Sequence, residues 1–226
     1  MIKINNLFFS YAKEYYTLHD INFNLKKGDG AIIVGDKNSG KTSLIRVLLG
    51  LDKFNSGSVL INNIPIGKIN YKEDLSLGYI PNEPPFIKNK SVEYNLKYVI
   101  RLREKNKELV DVKVRNTLIE YNLYSIKNVK VEHLNYYDKL ILAIARLSIR
   151  NLDLLIVDDI FIGLSDKEMK EVVSILKQLI KSNMCSVLIT TSDENVVSDF
   201  RYKKYYLQSG SLSLKKGEID DWFKRN

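Results

Sequence analysis

Polar and apolar residues alternate along His19-Asp20-Ile21-Asn22-Phe23-Asn24-Leu25, the period of a strand with one face covered. Residues 2–9 and 18–25 read as strands on that basis. Three other stretches are apolar without alternation: Ala31-Ile32-Ile33-Val34, Leu154-Leu155-Ile156-Val157 and Val187-Leu188-Ile189 within 186–190. Short continuous runs of this kind suit strands buried on both faces, which predicts a parallel sheet flanked by helices. Helical spacing takes over elsewhere. Residues 91–104 place Val92, Leu96, Val99 and Ile100 on one face, and 109–121 read as a second amphipathic helix. Residues 137–150 form a third, carrying Leu140, Ile141, Ile144 and Leu147, and 166–182 a fourth. Shorter strands are expected within 56–63, at 77–80, near 203–207 and at 211–214. Lys26–Gly30 is a turn, Pro81, Pro84 and Pro85 interrupt regular structure, and a final short helix carries Trp222 and Phe223. No internal repeat or linker divides the chain, so residues 1–226 are expected to form one domain.

Composition narrows the class. At 226 residues, 45% hydrophobic and 27% charged, the chain is globular rather than disordered. No apolar run reaches the roughly eighteen residues of a membrane span, and Met1-Ile2-Lys3-Ile4-Asn5-Asn6 has no signal-peptide core. The expected location is cytoplasmic. The single Cys185 lies in Met184-Cys185-Ser186-Val187 and reads as a buried structural thiol. The net charge of +8 favours nucleotides, nucleic acid or anionic headgroups. Its short clusters, at Arg101, Arg103 and Lys105, at Lys203-Lys204 and at Lys215-Lys216, equally describe a solvated basic surface.

Chemistry enters at Gly35-Asp36-Lys37-Asn38-Ser39-Gly40-Lys41-Thr42, which fits G-x-x-x-x-G-K-[ST] at every fixed position. The apolar run 31–34 precedes it. Ser43-Leu44-Ile45-Arg46-Val47-Leu48-Leu49 follows as a helix stopped by Gly50. Strand, glycine-containing loop and helix is the setting of a phosphate-binding P-loop. Gly35 and Gly40 let backbone N–H groups turn inward, and the helix N-terminus adds partial positive charge. Phosphate contacts are therefore expected from Gly35, Lys37, Asn38, Ser39, Gly40, Lys41, Thr42 and Ser43. Lys41 reaches the outer phosphates, and the Thr42 hydroxyl is suited to Mg²⁺.

A second candidate site closes the run 154–157 with Asp158-Asp159. A buried strand ending in a carboxylate beside a P-loop suits metal binding. Asp158 is the expected Mg²⁺ partner, and Asp159 the group that orients or deprotonates an attacking water.

With these residues in place the chain resembles the nucleotide-binding subunit of an ABC (ATP-binding cassette) transporter over nearly its whole length. The resemblance is carried by the P-loop, by Ser56-Gly57-Ser58-Val59-Leu60-Ile61-Asn62, by Leu77-Gly78-Tyr79-Ile80-Pro81, and by Ala143-Ile144-Ala145-Arg146 leading into Leu154–Asp159. It implies an α/β fold: a P-loop NTPase core of ABC type, an antiparallel β-subdomain and a helical subdomain at about residues 85–150. It also implies ATP and Mg²⁺ as cofactors, Tyr11 stacking on adenine, and Asn82 at the position of the family's glutamine that contacts the metal or its water. The implied partners are an integral-membrane permease, expected as a separate polypeptide, and a second ABC subunit, identical or different. The implied location is the inner membrane face. Nucleic acid is not an expected partner, because ABC proteins that act on it usually carry paired cassettes or long coiled arms.

The departures from the family pattern are one-sided. The signature Leu-Ser-Gly-Gly-Gln aligns with Leu134-Asn135-Tyr136-Tyr137-Asp138, so bulk and negative charge stand where family backbone approaches γ-phosphate. The catalytic glutamate aligns with the shorter Asp159, the D-loop aspartate with Ser165, and the switch histidine with Ser192, which cannot carry an imidazole's charge. Two function classes follow: an ABC transporter subunit that hydrolyses ATP slowly or only with a partner, and a nucleotide-binding regulatory or scaffold subunit without useful hydrolysis.

Overall fold

The computed structural model describes residues 1–12, 15–71 and 73–214. The expected helix at Trp222 and Phe223, and the Lys215-Lys216 pair, lie outside the described residues. The described chain divides into two compact units. The first comprises the described residues of 1–79, 152–162 and 180–226, and the second 80–151 and 163–179.

The first unit holds two sheets. Strands β1 (Ile2–Phe9), β2 (Leu18–Leu25), β4 (Ser56–Ile61) and β5 (Ile64–Pro65) make an antiparallel sheet in the order β2-β1-β4-β5. Alternation explains β2: Leu18, Ile21, Phe23 and Leu25 are buried, while Asp20, Asn22 and Asn24 face solvent. The run is broken at Asp20, whose φ of 46° accompanies a register shift against β1. The second sheet runs β10-β9-β3-β8-β7-β6, from β3 (Gly30–Val34), β6 (Leu77–Ile80), β7 (Leu154–Asp158), β8 (Ser186–Thr191), β9 (Lys203–Gln208) and β10 (Ser211–Ser213). The three continuous apolar runs are its neighbours β3, β8 and β7, paired in parallel. Every residue of β7 and β8 is buried, the burial that parallel sheets require. One cluster, including Ile4, Phe23, Ile33, Leu44, Ile156 and Leu188, forms the core of this unit together with helix α1 (Lys41–Leu48).

The second unit is helical, built on α2 (Val92–Arg101), α3 (Lys107–Glu120) and α4 (Tyr136–Leu147), with most of α5 (Asp166–Asn183). Three asparagine or serine caps set the helix starts. Ser91 accepts from the Tyr94 amide, Asn106 from Glu108 and Leu109, and Asn135 from Asp138. The caps move α3 two residues ahead of its expected start, and α2 and α4 end three residues early. In α4 the run Leu140–Ala145 is wholly buried. Helix α3 corrects the expectation of a simple amphipathic helix: it buries Val110, Val114, Thr117 and Leu118 but leaves Leu109, Val112 and Ile119 exposed.

No described helix is long and apolar enough to cross a membrane. Cys185 is buried, and burial raises its thiol pKa to about 11.

Candidate functional site

The loop after β3 turns into α1 at Gly40, which holds a left-handed φ of 104° and stands as N-cap without a side-chain hydrogen bond. The first turn contains no acidic residue. Its amides therefore have no side-chain cap, and with the helix dipole they form a positive mouth suited to an anion. Ser39 Oγ is buried at this mouth without a hydrogen-bond partner among the described residues. Gly35 has a second reason to be glycine that the motif does not show: a β-carbon there would overlap the Leu207 carbonyl oxygen of β9 and Ser39 Oγ.

Lys41 is 5% exposed. Its ammonium donates to the Gly35 carbonyl at 2.7 Å and the Asp36 carbonyl at 2.9 Å, and lies 3.6 Å from Asp159 Oδ2. Asp159 follows β7 with φ 53°, its amide bonded to the Thr190 carbonyl at 3.0 Å. The other carboxylate oxygen, Oδ1, accepts from the Ser192 amide at 2.8 Å and the Ser192 hydroxyl at 3.0 Å. The family resemblance expects Ser192 at the switch position, and the fold ties it directly to Asp159.

Asp158 is 2% exposed. Thr190 Oγ1 donates to its Oδ1 at 2.6 Å, and Tyr79 OH to its Oδ2 at 3.4 Å. Burial pushes its carboxyl above the usual range, helped by the charge of Asp159. Hydrogen bonds from Thr190, Thr42 and Tyr79 oppose that shift. Burial likewise raises the Tyr79 phenol. Thr42 and Asp158, 116 positions apart in the chain, are thus brought together by the fold. Sequence reasoning did not find Thr190 or Tyr79. Tyr79 lies in the stretch 77–81 that carries the family resemblance, but neither residue has a role that spacing announces; each is defined by its contact with Asp158.

Of the three tyrosines after β1, Tyr11 is the one placed on the P-loop helix. Its hydroxyl shares a hydrogen bond with Ser43 Oγ at 3.3 Å, its ring meets the Phe9 ring edge-on at 4.8 Å, and it is 65% exposed. Tyr16 instead packs edge-on against Phe8 and His19.

The remaining sequence-predicted positions belong to the second unit. Asn82 is exposed, its Oδ1 accepting from Tyr136 OH at 3.3 Å. In the segment 134–138, Leu134 is buried, Asn135 caps α4 with a 2.7 Å bond from the Asp138 amide, and Tyr136 and Tyr137 form the first half-buried turn. Burial and the neighbouring Glu168 raise the Asp138 carboxyl, and burial and Glu171 raise the Tyr137 phenol. Ser165 starts α5 through a reciprocal cap. Its amide and hydroxyl donate to Glu168 Oε2 at 2.8 and 2.6 Å, and the Glu168 amide returns to Ser165 Oγ at 3.4 Å. The spacing Ser-x-x-Glu is the readable signal of such a box.

The model of the ABC transporter family matches residues 18–161, from β2 through the loop after Asp159. The chain belongs to the ABC transporter family. Among its curated relatives, the phosphonates import ATP-binding protein PhnC of Fusobacterium nucleatum is 28% identical, covering 97% of this chain and 90% of the relative. An ABC transporter ATP-binding protein of Bacillus cereus is 26% identical over 94% of this chain. The chain spans 38% of the length of that relative. Among solved structures, the ATP-binding cassette MJ0796, a dimer bound to ADP and Pi in a post-hydrolysis state, superposes with TM-score 0.81 at 23% identity, covering 94% of this chain and 97% of that one. The cassette cbiO1 of Clostridium perfringens, part of the ABC transporter complex cbiONQ, gives TM-score 0.80 at 23% identity over 94% and 86%. These ABC cassettes share the α/β fold with its P-loop core, antiparallel sheet and helical part.

Proposed function

We propose that the chain is the ATP-binding subunit of an ABC transporter, working on the cytoplasmic membrane face with a permease and a second ABC subunit. We propose further that it hydrolyses ATP slowly or only with that second subunit. The observation that carries the reading is the buried Lys41 ammonium at the uncapped start of α1, beside the Thr42–Asp158 pair.

The residues present fit a magnesium nucleotide. The mouth is cationic and lined by amides, Ser39 Oγ within it has no hydrogen-bond partner among the described residues, and Thr42 and Asp158 offer paired oxygen ligands. In this reading Gly35–Ser43 and Lys41 hold the phosphates, Tyr11 stacks on the base, and Thr42 and Asp158 hold Mg²⁺, which neutralises phosphate charge when bound. Asp159 is the general base. It is shorter than a glutamate, and both its oxygens are already engaged, by Ser192 and Lys41. A base held away from its water loses on the order of 10² in rate.

That same engagement favours the second reading, a nucleotide-binding regulatory or scaffold subunit. Calorimetric titration with Mg·ATP tests the shared claim: the wild type binds and Lys41→Ala binds about 10- to 100-fold more weakly, and a wild type without affinity overturns both readings. Single-turnover phosphate release, with and without an ABC subunit bearing an intact signature, separates them. Release supports the subunit of slow or partner-dependent hydrolysis, and tight binding with no release supports the scaffold.

A further inference from the structure

Helix α3 carries apolar side chains on two opposite faces. At about 100° per residue, Val110, Val114, Thr117 and Leu118 fall on one side and are buried. Leu109, Val112, Asn116 and Ile119 fall together on the other. The three apolar residues among them are 48, 54 and 53% exposed, and Asn116 is exposed as well. Their spacing of three, four and three residues is that of the a and d positions in a helix that pairs with another helix. A face built this way gains nothing from solvent.

We propose that this face docks a second copy of the same chain, α3 against α3, parallel and in register. Two features of the sequence on the helix choose that occupant. The flanking positions are charged with alternating sign: Glu108 and Arg115 border one edge of the stripe, Lys113 and Glu120 the other, and all four are exposed. In a parallel pair each residue of the first edge meets the residue five positions later on the second copy. Glu108 then meets Lys113 and Arg115 meets Glu120, so every crossing is attractive. Within one copy, Lys113 also pairs with Glu104 at 3.0 Å, and the crossing extends that pair into a network. Asn116 selects the direction. In register its amide faces the same amide of the second copy and each satisfies the other, whereas an antiparallel pair sets it against Val112 and leaves it unpaired. A single polar a position of this kind fixes register at some cost in stability. One helix pair of fourteen residues is smaller than the roughly 1,600 Å² of a stable interface, so the association is reversible and rises with concentration. It needs no nucleotide and stands apart from the reading of the P-loop.

Sedimentation velocity of the whole chain without nucleotide, over a wide concentration range, tests the pairing. The wild type is expected to show a reversible monomer–dimer equilibrium. Val112→Asp weakens it about ten-fold or more, with an unchanged circular dichroism spectrum because Val112 lies on the exposed side of α3, away from Val110, Val114 and Leu118. Arg115→Glu and Glu120→Lys each weaken it by placing like charges across the pair. An equimolar mixture of those two variants restores the dimer, since both crossings then join opposite charges. A chain that stays monomeric at every concentration, a dimer indifferent to Val112→Asp, or a mixture that fails to re-form the dimer overturns the proposal.

Discussion

The carboxylate of Asp159 stands 3.6 Å from the ammonium of Lys41, and Ser192 holds its other oxygen through two hydrogen bonds. Asp159 thus serves as a counter-charge for Lys41, and in the proposed reading an incoming phosphate competes for the same ammonium. Asp159→Asn removes that competition and the general base together. Mg·ATP affinity is expected to rise about two- to five-fold, the worth of a partly exposed ion pair, while any phosphate release is lost. Titration calorimetry and a single-turnover assay read the two effects separately.

Lys41 also holds the loop itself, through the carbonyls of Gly35 and Asp36. Lys41→Ala is expected to lower ATP affinity by about 10- to 100-fold, since charge-assisted hydrogen bonds to phosphate are lost. It also lowers the melting temperature of the nucleotide-free chain, because two acceptors lose their donor. A variant that binds ATP normally would remove the P-loop from the reading.

Ser165, which the family resemblance sets at the position of the D-loop aspartate, forms a reciprocal cap with Glu168. Ser165→Ala is expected to cost about 1 kcal/mol, seen as a fall of about 2–4 °C in melting temperature. An unchanged melting curve would show that α5 does not depend on this cap.

Cys185 supplies a pH dependence. Its folded thiol pKa, about 11, lies above the ordinary 9.0 because burial disfavours the thiolate. The stability it contributes is full below pH 9.0 and is lost as pH rises through about 11. Thermal unfolding between pH 8 and 11 is expected to decline less steeply in Cys185→Ala than in the wild type. Parallel curves for the two would refute this. The native thiol is also expected to react slowly with alkylating reagents, as its burial denies access.

Much of the fold was legible from local pattern. The continuous runs 31–34, 154–157 and 186–190 became three adjacent parallel strands, because a strand buried on both faces has no polar side to alternate. Alternation found β2, although it did not show the break at Asp20. In α3 periodicity found the helix but not its two apolar faces, which blur the single stripe that defines an amphipathic helix. The Asn106 cap that moved the start of α3, and the Ser165–Glu168 pair that caps α5 at its expected start, were readable in principle from residue type and spacing.

By itself the amino-acid order carried the P-loop and the carboxylate pair closing a buried strand, while the departures at positions 135–138, 159, 165 and 192 are what the family resemblance implies. These are short motifs whose chemistry is carried by neighbours in the chain. The tertiary structure alone decided that Thr190 and Tyr79 bond Asp158, that Ser192 clamps Asp159 from 33 residues away, that Leu207 crowds Gly35, and that Tyr11 rather than Tyr15 or Tyr16 meets Ser43. Each of these is a contact between residues distant in the chain, set by the order and register of the strands that carry them, and no local periodicity encodes that order.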